Sequence, residues 1–408
     1  MTRAEFLRCV FGLAPAMLAP RWAFAQGDAA RTRIADLIKI YDAQGIHRTA
    51  TPVDNASADW LRRMTTVAGA ESQLVSFPLD RVDVRAAYVE INGQRIEGLP
   101  FFDGGFTGET GIVGRFGLPD SGADIVLAML DEAAISSEGQ RIAELRKNPV
   151  VRAIVGVTTG ASPGLSPSNA VAFVRPYGAP VLQVGSEHQA ALKEQAARGT
   201  SATFVASAAR DDTTALNVVA TVTGRTATLP PLVVMTPRSG WWQCASERGG
   251  GLACWMEAIR AVAAAKPARR AVFIASSGHE LGHLGLDRFL AQHDGLIKDA
   301  AAWIHLGANI GAAGGATRLQ ASDDQIEQMA SRALDAAGAA VRQRVPRGTV
   351  PAGEARNIHV GGGRYVSLLG SGPHFHNQSD RFPDAVDIDA VARYARAISA
   401  LAVELTRA

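Results

Sequence analysis

From Asn217 onward, short and almost wholly apolar runs alternate with stretches of helical periodicity, and this alternation constrains the fold more than any other feature. Strands are expected at 217–224, 232–235, 271–275, 301–306 and 365–369, with helices near 251–265, 284–292, 323–338 and 388–406. A strand that is apolar on both faces is covered by helices on both sides. The alternation therefore predicts an α/β fold with a mostly parallel central sheet flanked by helices. In open sheets of that kind, ligands sit in loops beyond the carboxyl ends of the strands. Segments 236–251, 276–283, 305–311 and 370–380 are thus the places to seek chemistry.

The chain ahead of Asn217 has a different texture. Apolar residues at helical spacing (Ile34, Leu37, Ile38, Tyr41, then Trp60, Leu61, Met64, Val67) predict a helical part over 26–75, the second helix capped by Asn55 or Ser57. Over 76–215, short β-rich runs at 87–91, 112–117, 125–129, 151–157, 171–174, 180–184 and 202–205 alternate with Gly/Pro/Ser loops, with one helix near 188–197. This predicts a smaller β-rich insert, followed by the α/β part over 216–408. Residues 1–25 are set aside as an expected signal peptide: Arg3 and Arg8, an apolar stretch from Cys9 to Leu18, and Ala23-Phe24-Ala25 before Gln26. That leader predicts a periplasmic or secreted protein, in which Cys244 and Cys254 either pair or remain buried thiols.

Composition removes several function classes. With 47% hydrophobic and 20% charged residues, the chain of 408 residues can bury a large core and is too long for a single small one. Lys and Arg number 41 against 39 Asp and Glu, without a basic run, so no nucleic-acid partner is expected. No apolar stretch reaches the roughly 20 residues of a membrane span. A small-molecule or peptide-like substrate is the expected partner.

The strand ends carry the candidate residues. After 232–235 come Arg238, the pair Trp241-Trp242, Glu247, Arg248 and the triplet Gly249-Gly250-Gly251. Indoles and guanidinium groups suit flat or anionic ligands, although a Trp pair can equally pack beneath the insert. After 271–275 comes His279-Glu280-Leu281-Gly282-His283, which has the HExxH form of a zinc motif. A zincin needs that motif in the middle of a helix, whereas here a strand has just ended and Gly278 and Gly282 interrupt. His305 ends another strand, and His374, His376 and Asp380 share a loop before the last helix.

In this order, these landmarks resemble the zinc aminopeptidase family that also contains glutamate carboxypeptidase-like and glutaminyl cyclase-like proteins, with a protease-associated-type insert. The resemblance covers about 217–407 and implies an aminopeptidase-like fold. It also implies two zincs, held by a His-x-Asp, an Asp before a helix, the second residue of a Glu-Glu pair, an Asp after a later strand and a late His. Here Thr236-Pro237-Arg238 stands for His-x-Asp, Glu247 for the bridging Asp, His279-Glu280 for Glu-Glu and His305-Leu306-Gly307 for the later Asp segment, while His376 matches the late His. The first zinc site is thereby dismantled. Glu247, Glu280 and His376 remain as the set implied for at most one zinc, two carboxylates and an imidazole being a catalytic zinc composition.

Three functions follow from this resemblance. The favoured one is an exported hydrolase acting on a small amide or aromatic-containing substrate, with His279, Glu280 and His305 as catalytic groups and Arg238, Trp241, Trp242, Arg248 and His374 toward substrate. The alternatives are a non-hydrolytic enzyme of lyase or cyclase type, moving a proton through His279, and a non-catalytic ligand-binding protein. In a metal-free version, Arg248 beside Glu247 replaces the lost cation.

Overall fold

The structure, a computed structural model, describes residues 21–131 and 140–407. Most of the expected leader lies outside the described residues. Two helices, Arg21–Ala43 and Pro52–Val67, open the described chain. Thr51 caps the second, its side chain accepting from the Asp54 amide with Pro52 in the first turn, so Asn55 and Ser57, expected as caps, lie one turn inside.

Among the described residues, fourteen strands follow: β1 (Glu71–Ile91), β2 (Gln94–Glu97), β3 (Leu99–Pro100), β4 (Ile112–Gly117), β5 (Ile125–Asp131), β6 (Ala153–Thr159), β7 (Val181–Val184), β8 (Ser201–Val222), β9 (Leu232–Pro237), β10 (Ala271–Ser276), β11 (Ala302–Leu306), β12 (Ala316–Ala321), β13 (Gln343–Arg344) and β14 (Tyr365–Ser371). The sheet order β13-β12-β14-β11-β9-β10-β8 places four parallel strands, β14, β11, β9 and β10, side by side. Antiparallel strands flank them, β12 on β14 and β8 on β10. The sheet is therefore mixed, with a parallel centre bounded by antiparallel strands.

The apolar runs are explained by two cores. Along β9, Leu232 and Val234 face one cluster while Val233 and Met235 face the other. On β10, Ala271, Phe273 and Ala275 divide from Val272 and Ile274 in the same way. One face meets helices Gly249–Ala265 and Ile388–Leu405 through Trp255, Ile259, Ile398 and Leu401; the other meets Leu286, Phe289 and Ile358. With no polar face, each buried side chain of this size contributes about 1.5–3 kcal/mol.

β1 and β8 form one long antiparallel ribbon, from Glu71 opposite Thr221 to Ile91 opposite Ala202, with one irregularity between Val84 and Ala86. The strands expected separately at 202–205 and 217–224 are one strand. The charged stretch Arg210-Asp211-Asp212, which breaks the apolar pattern, simply pairs its backbone with Val82, Arg81 and Asp80 while its side chains stay partly exposed. The ribbon runs into the β-rich portion, where Val89, Phe116, Leu127, Val155, Leu192 and Phe204 share a further core. Residues 171–174, expected as a strand, form turns: Phe173 is buried, but Val171 and Val174 face solvent. Cys244 and Cys254 are buried free thiols. Among the described residues no helix is long and apolar enough to cross a membrane.

Candidate active site

Because β9, β10, β11 and β14 run parallel, the loops leaving their carboxyl ends meet on one edge of the sheet. The loop after β9 turns into the helix Gly249–Ala265, which presses against the loop after β11. A Cβ on Gly250 would lie 1.8 Å from the Ile310 carbonyl oxygen. That close approach accounts for Gly250, while a Cβ on Gly249 or Gly251 would lie 2.9 Å from Ile38 or 2.8 Å from Thr236 Oγ1. Asp380 accepts hydrogen bonds from the amides of Ser246 at 2.7 Å and Glu247 at 2.9 Å, and so fixes the turn that presents Glu247. Burial pushes the Asp380 carboxyl up to about 7.

Glu247 and Arg248 form a fully buried ion pair at 2.6 Å, and the Arg248 Nε donates to the Ser239 carbonyl. His376 joins them, its Nε2 lying 3.3 Å from Glu247 Oε1 while its Nδ1 donates to the Pro167 carbonyl at 2.6 Å. Burial opposes ionisation of Glu247, but Arg248 and then His376 outweigh it and hold the carboxyl well below its ordinary range.

The loop after β10 is a series of turns, not a helix; His283 sits at a positive φ just before the helix Leu284–Ala291. The helical zinc motif is therefore absent. Asn217 pins this loop, accepting from the Ser277 amide and donating to the Gly285 carbonyl. Within it His279 and Glu280 point apart. Glu280 Oε1 accepts from the amide and hydroxyl of Thr49, and Oε2 from the Ser239 hydroxyl, so this carboxylate ties the first two helices to the loops. His279 Nδ1 meets Glu354 Oε1 at 2.8 Å. Glu354 Oε2 lies 3.4 Å from His305 Nε2, and His305 Nδ1 meets the Ser367 hydroxyl. Burial pulls His279 down to about 4, against the attraction of Glu354. Burial also disfavours the Glu354 anion, but His279 and His283 outweigh it and hold the carboxyl well below its usual range.

Among the described residues, one group of three ligand-bearing side chains is close enough to share a metal ion: one atom each from His279, His283 and Glu354, all within 4.8 Å of one another. Glu280, expected beside Glu247 and His376, does not reach them. The zincs that the resemblance implies fit the Glu247 cluster poorly: its donors reduce to one carboxylate and one imidazole, already facing the buried guanidinium of Arg248. A dication there would meet a monocation at contact distance.

The residues expected to face substrate are mostly turned inward. Arg238 is buried against Asp54 at 2.7 Å and donates to the Leu216 carbonyl. Trp241 is buried edge-on against Phe102, with its N–H on Asn169, which is the packing alternative for the pair. Trp242 is half-buried and donates to the His376 carbonyl at 2.8 Å, steadying that loop. His374 lies on the loop's outer side, bonded to Ser379.

Sequence reasoning missed Glu354 altogether and set His283 aside with the zinc motif. Glu354 lies between Gly353 and the short helix Ala355–Val360, in a stretch with no strand or catalytic spacing. Its one local signal is a lone acid in the apolar run Val350-Pro351-Ala352-Gly353-Glu354-Ala355.

No protein-family model matches the sequence, and no curated protein matches it. Solved structures do match in fold. A zinc aminopeptidase from Bacillus subtilis superposes with a TM-score of 0.75 at 15% identity, over 93% of this chain and 95% of that one. A peptidase M28 precursor from Shewanella amazonensis gives 0.70 at 14% identity, over 94% and 96%. An aminopeptidase from an Aneurinibacillus strain gives 0.69 at 14% identity, over 92% and 94%. The chain thus has the aminopeptidase-like α/β fold shared by these zinc aminopeptidases and peptidase M28 proteins.

Proposed function

We propose that the protein is an exported hydrolase that cleaves a C–N bond in a small amide or peptide-like substrate, using a remade aminopeptidase site. The observation that carries this reading is a cluster of buried charged and titratable groups that face one another: Glu247 meets Arg248 and His376, Glu354 meets His279 and His305, and Glu247 Oε2 and Arg248 Nη1 have no hydrogen-bond partner. Buried polar atoms are ordinarily paired, and where they are not, a catalytic role is one explanation. Here they gather on the sheet edge where α/β folds place their chemistry. Glu354 with its two imidazoles handles the attacking water and its proton. Arg248 offers positive charge to a carbonyl oxygen as it becomes anionic.

The N–H groups of Trp241 and Trp242 are both engaged within the protein, so amides and small peptides are the substrate class. Aminoacyl and simple amide chromogenic substrates test the reading. Turnover by the wild type, lost in Glu354→Gln, is expected; no turnover of any of them would favour a non-catalytic binding protein.

One observation favours a second reading. An imidazole, His279, bonded to a buried carboxylate is also an acid/base pair for a lyase or cyclase. Release of product without uptake of water oxygen from labelled water would support it. Export is tested by sequencing the amino terminus of periplasmic or secreted protein, which should begin at Gln26.

A further inference from the structure

We infer that His279, His283 and Glu354 bind a single divalent transition-metal ion, zinc by preference, at a site separate from the Glu247 cluster. Two imidazoles and one carboxylate with a position left open is a catalytic zinc composition. The three ligand atoms already lie within 4.8 Å of one another, the spread that one ion can span. Glu354 is almost wholly buried and His279 nearly so, while His283 is half-buried and leaves a route for the ion.

A second observation concerns the outer shell. Asn357 donates its Nδ2 to the Asp287 carboxylate, an acceptor, and this fixes its amide with Oδ1 toward His283. That oxygen lies 3.0 Å from His283 Nδ1 and accepts its proton. The neutral ring therefore carries hydrogen on Nδ1 and a lone pair on Nε2. Metal-binding histidines commonly donate their second ring N–H to a fixed acceptor, and here the Asn357 oxygen, held by Asp287, is that acceptor. On the opposite side Glu354 Oε1 faces His279 Nδ1 at 2.8 Å, a separation compatible with both atoms holding one ion while the His279 proton resides on Nε2.

The inference deepens the hydrolytic reading: His279 serves as a ligand, and His305, beside Glu354 Oε2, is the imidazole left to take a proton from water. Binding itself does not depend on that reading. Chelator-treated full-length protein is titrated with Zn²⁺ by calorimetry and with Co²⁺ by its visible absorption. One equivalent is expected. His283→Ala and Glu354→Gln should each weaken binding at least ~10-fold, and Asn357→Ala by about 10- to 100-fold. Far-UV circular dichroism confirms that each variant is folded. Glu247→Gln and His376→Ala should bind as the wild type does. The inference is overturned if no stoichiometric ion binds, or if binding survives His283→Ala and Glu354→Gln but is lost in Glu247→Gln. Hydrolysis by protein that binds no ion would sink this inference and leave the hydrolytic reading standing; ion binding without hydrolysis would do the reverse.

Discussion

The guanidinium of Arg248 lies 2.6 Å from the carboxylate of Glu247, and neither side chain reaches solvent. Neighbours in sequence, they form a cation–anion pair on the edge of the sheet where the strand-end loops meet. Burying such a pair is costly, and removing one partner is costlier than burying both. Arg248→Met should therefore destabilise the protein by about 3–5 kcal/mol in urea unfolding. Arg248→Met combined with Glu247→Gln should recover much of that loss. Equal losses in the single and double variants would mean that packing, not charge, holds this place.

Glu280 behaves as a structural tie. Its two oxygens accept three hydrogen bonds, from the Thr49 amide and hydroxyl and from the Ser239 hydroxyl. Hydrogen bonds to a charged group are worth about 1.5–3 kcal/mol each, so Glu280→Ala should cost at least about 3 kcal/mol. Protection of the Thr49 amide in hydrogen exchange should fall with it. Full retention of stability would return Glu280 to the list of catalytic groups.

The two tryptophans should separate. Trp241 fills the space beside Phe102, and Trp241→Ala is expected to cost about 3–5 kcal/mol. Trp242→Phe keeps most of the packing and removes the hydrogen bond to the His376 carbonyl, a loss of about 1 kcal/mol. Thermal and urea unfolding of the two variants measure the difference; similar costs would argue against it.

His47 supplies a pH dependence outside the site. It stacks on Tyr41 at 3.8 Å between ring centres, and its Nε2 bonds the Tyr41 carbonyl. Burial lowers its pKa from 6.5 to about 4. The unfolded chain therefore takes up this proton first. The contribution is complete above pH 6.5 and is lost as the pH falls toward 4. The full difference is about 3 kcal/mol. His47→Phe should flatten the fall in stability across that interval relative to wild type, and identical slopes would refute the assignment.

Sequence alone determined the layered fold. Residues along β9 and β10 alternate between two covered faces, so Leu232–Met235 and Ala271–Ala275 are apolar throughout, and that pattern is visible without a structure. The same alternation located the strand ends, and with them Glu247, His279, His305 and His376. The tertiary structure decided which of these meet. Glu354 reaches His279 across 75 positions, and Glu280 is claimed by Thr49 across 231. No local period encodes such encounters, because they depend on how separate loops stack once the sheet has formed. Direction was equally hidden: adjacent residues on a turn face opposite ways, which sends His279 toward Glu354 and Glu280 toward Thr49. The long ribbon is hidden in the sequence because a charged, partly exposed stretch can keep its backbone paired while its side chains read as a loop. The need for glycine at position 250 is set by the carbonyl of Ile310, whose approach only the folded chain reveals.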